Sequence, residues 1–120
     1  MAKSTAGAAP QGQNVSYMRI VEDVTASVIT QTELAQAVGT TPKTVQNWTR
    51  GSVPRGKMAV RLLDVQHVVA ELRDVYNDEA IQIWLRSRNR NLSGERPIEL
   101  LAANRVEEVI TEVANILRGM

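Results

Sequence analysis

The sequence predicts an all-α fold. Three observations carry this. Apolar residues recur three and four apart in each long segment, and no run alternates convincingly as a strand would. Helix start and stop residues punctuate the chain at regular intervals. Apolar residues make up 43% of the 120 residues but aromatics only 3%, with no Phe, so the core must be Val, Leu, Ile and Ala packing.

The elements follow in order. Residues 1–15 are small, polar and Gly-bearing, too poor in apolar surface to offset their ordering entropy, and read as a disordered arm. Ser16 caps a helix through Ala26, with Met18, Val21 and Val24 on one face. Thr30 followed three residues later by Glu33 is a capping box for a helix from Gln31 to Val38, and Gly39 supplies a left-handed stop. Thr41 caps the next helix, and Pro42 occupies its first position, where a missing N–H costs nothing. That helix runs to Arg50 and stops at Gly51. Lys57 to Tyr76 reads as the longest helix, with Leu62, Val65, Val69, Leu72 and Tyr76 on its apolar stripe. Asn77 caps a helix through Arg86. Ser87 to Glu95 is a polar, Arg- and Asn-rich loop. Pro97 opens a short helix to Ala103, and Arg105 to Arg118 is a last amphipathic helix with Val106, Val109, Ile110, Val113 and Leu117 inward. The organisation is therefore an arm at 1–15, an N-terminal bundle at 16–76 that includes the long linking helix, and a small helical module at 77–120.

Composition narrows the function. With no cysteine and the single histidine His67, thiolate zinc sites, His-based metal sites and catalytic triads are not expected. The pairs Glu107/Glu108 and Asp78/Glu79 read as solvated helix faces, so no enzyme and no cofactor is expected. His67 lies beside core positions and reads as a partly buried packing residue. No run is long and apolar enough for a signal peptide or a membrane span, which points to a cytoplasmic protein. Net charge is only +1, yet no acidic residue falls between Glu33 and Asp64. That interval carries Lys43, Arg50, Arg55, Lys57 and Arg61, a window that a polyanion would meet first.

Within that window, Thr32 to Arg50 has the makings of a DNA-reading helix-turn-helix. Such a unit needs two short helices at a steep angle, joined by a tight turn, with the second helix in the major groove. Leu34 and the small Ala35 face inward, Gly39 makes the turn, and Val45 and Trp48 anchor the second helix. Pro42, Lys43, Thr44, Gln46, Asn47 and Arg50 are then left exposed. Gln46 and Asn47 can bond adenine edges, and Lys43 can reach guanine or phosphate. Arg50, Arg55 and Lys57 suit phosphates, as does Gln31 at the start of the first helix.

Gln31-Thr-Glu-Leu-Ala35, Gly39 and Thr44-Val-Gln-Asn-Trp48 through Gly51 resemble the helix-turn-helix of the Xre family, which includes phage repressors. The resemblance implies that Gln31 touches the DNA backbone and that Pro42, Lys43 and Gln46 lie over bases. Two positions depart from it: Pro42 offers no donor, and Thr49 stands where a Glu is usual. Further on, Ala80-Ile-Gln-Ile-Trp84-Leu, then Asn89, Leu92, Gly94, Pro97, Leu100 and Leu101, resemble the toxin-binding domain of Xre/MbcA/ParS-type antitoxins, with Arg88 where that family has Pro.

This second resemblance implies a protein partner, a RES-domain toxin that degrades NAD, and a C-terminal segment, Ile116 to Met120, that approaches the toxin's active-site entrance. The residues set against the toxin are Arg86, Arg88, Asn89, Arg90, Leu117, Arg118, Gly119 and Met120. Arg86, Arg88, Arg90 and Arg96 form a second basic cluster, either a solvated loop or a contact with toxin or DNA. Taken together, the two resemblances imply an antitoxin that represses its own promoter and binds a toxin, as a homodimer or as a hetero-oligomer with that toxin. The alternatives are a stand-alone transcription regulator whose C-terminal half only dimerises, and an interaction adaptor that does not bind DNA.

Overall fold

The computed structural model describes residues 16–119, and the arm at 1–15 and Met120 lie outside the described residues. Among the described residues seven α-helices follow one another: α1 (Tyr17–Ser27), α2 (Gln31–Val38), α3 (Pro42–Thr49), α4 (Gly56–Leu72), α5 (Asp78–Arg86), α6 (Pro97–Ala102) and α7 (Val106–Arg118). A 3-10 turn at Arg90–Leu92 lies between α5 and α6. The only extended pairing among the described residues is the single bridge between Asn89 and Glu95. The fold is all-α, a helix-turn-helix near the N-terminus followed by the smaller helical module.

Local chemistry explains the first boundaries. The Ser16 hydroxyl accepts from the Arg19 N–H and starts α1. The capping box at α2 is complete: the Glu33 N–H donates to Thr30 Oγ1 at 3.0 Å, and the Thr30 N–H donates to Glu33 Oε1 at 2.8 Å. Gly39 ends α2 at φ +88°, a conformation that costs a residue with a Cβ. Thr41 caps α3 through the Thr44 N–H, and Pro42 occupies the first turn.

Two expectations shift. The long helix ends at Leu72 rather than Tyr76. Bonds three residues apart tighten the chain there, from Asp74 N–H to the Glu71 carbonyl and from Val75 N–H to the Leu72 carbonyl. The Arg73 guanidinium is held at that point by Asp23 and Asp78. On α1, Val21 and Val24 are buried, whereas Met18 is 41% exposed.

One core runs through the chain. Val21, Val24, Leu34, Ala35, Val45, Trp48, Leu62, Val69 and Leu72 join Ile81, Leu85, Leu100, Leu101, Val109 and Val113 in a single buried cluster. Tyr76, where the sequence places the boundary between bundle and module, itself packs against this cluster. Polar ties reinforce the join. Arg61 Nε donates to the Ala37 carbonyl at 3.1 Å, and its Nη2 donates to the Leu101 carbonyl at 3.3 Å, fastening the end of α2 to α6. Arg73 donates to Asp78 at 2.9 Å and to Asp23 at 2.6 Å, fastening the start of α5 to α1. Asp78 and Asp23 bond to Arg73 and hold its pKa above the ordinary value, despite desolvation.

Candidate functional site

Helix α3, the second of the helix-turn-helix pair, is built from the inside out. Val45 is fully buried and Trp48 is 3% exposed, so α3 is pinned along one side against α1 and α2. Burying these two side chains stabilises the docking by about 1.5–3 kcal/mol each. The opposite side presents Pro42, Lys43, Gln46, Asn47 and Arg50, all exposed. Thr44 is only half-exposed, and its hydroxyl lies 3.1 Å from that of Thr41 at the cap. Its side chain is occupied at the helix start, which leaves Lys43, Gln46 and Asn47 as the polar reach of α3.

The flanks carry the charge. Gln31 is exposed at the first position of α2, where backbone N–H groups lack helical partners. Arg55 and Lys57 are exposed at the start of α4. Lys43, Arg50, Arg55 and Lys57 make no ion pair among the described residues, so their charge is open to solvent. Arg61 differs from them: it is half-buried and committed to the Ala37 and Leu101 carbonyls. A count of charges along the sequence could not separate it from the other four.

The C-terminal set divides in the same way. Arg86 is drawn into the fold, donating to both Glu33 oxygens at 2.6 and 3.0 Å, to the Gln82 carbonyl at 3.3 Å and to the Val28 carbonyl at 3.4 Å. Burial raises the Glu33 pKa, but hydrogen bonds from Arg86 and Thr30, with the Arg86 charge, outweigh it and hold the carboxyl below its ordinary value. Arg96 donates to the Arg86 carbonyl and to Glu99. Asn89 is half-buried, its side chain accepting from the Asn91 N–H while its backbone pairs with Glu95.

Arg88 and Arg90 are exposed on this loop, Arg88 resting one donor on the Gly94 carbonyl. At the far end of α7, Ile116 and Leu117 pack against the core, while Arg118 and Gly119 are exposed. Met120, the last residue of the expected toxin-contact set, lies outside the described residues. His67, expected to be partly buried, is exposed, 3.8 Å from Glu71 on the same helix. No cluster of metal-ligating side chains occurs among the described residues.

Sequence reasoning missed the destinations of Arg61, Arg73 and Arg86, and it missed Glu112. A helical wheel would have flagged Glu112, which stands beside Val113 and three residues after Val109 on the inward flank of α7.

Residues 29–65 match a helix-turn-helix family model, and residues 71–120 match the antitoxin Xre/MbcA/ParS C-terminal toxin-binding domain. The second match is to the toxin-binding domain of that antitoxin family, and the chain is homologous to mycobacterial antitoxins. Among its relatives is the probable mycobacterial cidal antitoxin Rv3188 of Mycobacterium tuberculosis, 29% identical over 88% of this chain and 90% of that protein. Another is the mycobacterial cidal antitoxin MbcA of Mycobacterium bovis, 26% identical over 77% of this chain and 82% of that protein. The fold matches a chain in the crystal structure of the M. tuberculosis MbcT-MbcA toxin-antitoxin complex. The TM-score is 0.72 and the identity 24%, covering 86% of this chain and 95% of that one. Helices α2 and α3 lie within the stretch matched to the helix-turn-helix, and α5 to α7 within the stretch matched to the toxin-binding domain.

Proposed function

We propose that this protein is the antitoxin of a type II toxin–antitoxin system, acting in the cytoplasm. It binds and inhibits a RES-domain toxin that degrades NAD, and it represses its own operon through the helix-turn-helix. The observation that carries this reading is the order of the two matched units on one chain, a helix-turn-helix followed directly by a toxin-binding domain. The protein itself is the inhibitor and needs no cofactor.

In this reading Lys43, Gln46 and Asn47 contact base edges, and Gln31, Arg50, Arg55 and Lys57 hold phosphates. Pro42 adds shape but no hydrogen bond, so affinity leans on phosphate contacts and on paired half-sites, which a dimer supplies. The exposed Arg88 and Arg90 meet the toxin from the loop, and Arg118, Gly119 and Met120 approach its active-site entrance. Leu117 and Arg86 act from within, Leu117 by seating the end of α7 and Arg86 by holding the loop's root.

Growth rescue tests the proposal. The toxin encoded next to this protein is expressed alone, with the full chain, or with a chain ending at Leu117. The full chain restores growth. The shortened chain stays folded, because Ile116 and Leu117 keep their packing, and still shifts promoter DNA, but it fails to rescue. Rescue by the shortened chain would discard the terminal contact. No rescue by the full chain would leave a stand-alone regulator, the reading that the open cations of the helix-turn-helix would still support.

A further inference from the structure

Glu112 is the one charged residue buried among the described residues, at 6% exposure. A carboxylate taken out of water is costly unless a cation and hydrogen bonds compensate it. Five other acids have theirs: Arg86 serves Glu33, Arg73 serves Asp23 and Asp78, Arg96 serves Glu99, and Arg105 serves Glu108. Glu112 has no cation within reach among the described residues. Its hydrogen bond is to a neutral amide, Asn91 Nδ2 donating to Oε2 at 3.0 Å.

Among the described residues, no fully enclosed side-chain nitrogen or oxygen lacks a partner, so Glu112 Oε1, which accepts from none of them, cannot be sealed in protein. Glu112 lines an open notch of about 290 Å³ between the 3-10 turn and α7, together with Asn91, Leu92, Glu107, Thr111 and Asn115. Glu108 lies at its edge but is held by Arg105 at 2.6 and 2.9 Å.

The lining selects the occupant. The acids are too dispersed for a metal ion, since no three metal-ligating side chains lie together among the described residues. A guanidinium fits better than a compact ammonium. Its planar fork offers five donors, which the Glu112 oxygen and the Thr111 hydroxyl can share, while its apolar stem lies on Leu92; Asn115 Oδ1 already accepts from Arg118 Nη2.

We infer that the Glu112 notch receives an arginine side chain of the partner protein and supplies the compensation that this carboxylate lacks in the free chain. The inference rests on the toxin-binding reading above. It extends that reading from the exposed loop cations, Arg88 and Arg90, to an acidic socket that the 3-10 turn of the same loop forms with α7. The partner surface is then one of mixed sign: acidic where it meets the loop, with a protruding arginine for the notch.

Glu112→Gln in the full chain tests this, because it keeps the shape and the acceptor for Asn91 while removing the charge. Two readouts are taken, the melting temperature of the free protein and its Kd for the purified adjacent toxin by calorimetry. The free protein melts about 2–5 °C higher, because an uncompensated buried charge is gone. Toxin affinity falls about 30-fold or more, because the arginine is left without its counter-charge. A melting point unchanged or lowered overturns the inference, since the carboxylate would then already be compensated within the chain. Unchanged toxin affinity in a variant that melts higher overturns it too. If the wild-type chain binds no toxin at all, the antitoxin reading fails and the partner arginine with it; the melting readout still reports whether Glu112 lacks a counter-charge.

Discussion

Arg86 and Glu33, 53 residues apart, form a two-point ion pair: Nη2 donates to Oε1 at 2.6 Å and Nε to Oε2 at 3.0 Å. The same Oε1 accepts the Thr30 N–H that closes the α2 capping box. One carboxylate therefore both starts the first helix of the helix-turn-helix and anchors the last turn of α5 in the C-terminal module. Arg86→Ala should lower stability by about 1 kcal/mol, a modest figure because the arginine is partly solvated. A double-mutant cycle with Glu33→Gln in urea should give a coupling of about 1 kcal/mol, and additive losses would mean that the pair adds nothing to stability.

Acid should loosen the same joints. The Glu33 carboxyl lies below its ordinary value of 4.5, held there by Arg86 and Thr30 against the effect of burial. Asp78 lies below its ordinary value of 3.8, held by hydrogen bonds from Arg73 and Ser27. Both groups bind protons more readily in the unfolded chain, so their stabilisation is complete above those ordinary values and is lost as pH falls through the folded ones. Melting temperature should therefore be flat near neutrality and fall from about pH 4.5 downward. In Glu33→Gln that fall should be shallower.

Gly39→Ala should cost about 1–3 kcal/mol in thermal denaturation. The residue lies at φ +88°, and an added Cβ would meet Arg61 Nη1 at 2.7 Å. Arg61 could swing away only by giving up its bonds to the Ala37 and Leu101 carbonyls. Gly51→Ala shares a positive φ, but its Cβ meets nothing within 4 Å, so the smaller loss expected there isolates the part due to Arg61.

On DNA, two classes of variant should separate in a promoter shift assay. Lys43→Ala combined with Gln46→Ala should remove sequence discrimination. Arg55→Ala or Lys57→Ala should weaken binding to all sequences alike and reduce the salt slope by about 1 each. Arg61→Ala should leave the salt slope unchanged, because that guanidinium is bonded inside the fold.

The sequence made local features legible and left distant ones hidden. The capping box of Thr30 and Glu33, the left-handed Gly39 and the Thr41-Pro42 start depend on residues within four positions of each other, and each stands where the pattern puts it. Leu34, Ala35, Val45 and Trp48 follow from helical spacing, and all are buried. The partners of Arg61, Arg73 and Arg86 lie up to 58 residues away, and no local spacing encodes them. The same blindness affected α4: its apolar stripe continues to Tyr76, but the chain turns after Leu72, where Arg73 is held by acids from two other helices. His67 follows the same rule, being near core positions in sequence yet on the open side of its helix.

Titration of the purified adjacent toxin with this protein, following NAD consumption, tests the central claim most directly. The account expects inhibition that rises linearly with added protein and ends at a fixed stoichiometry, as tight binding requires. NAD consumption that continues unchanged with the folded protein in excess would contradict it.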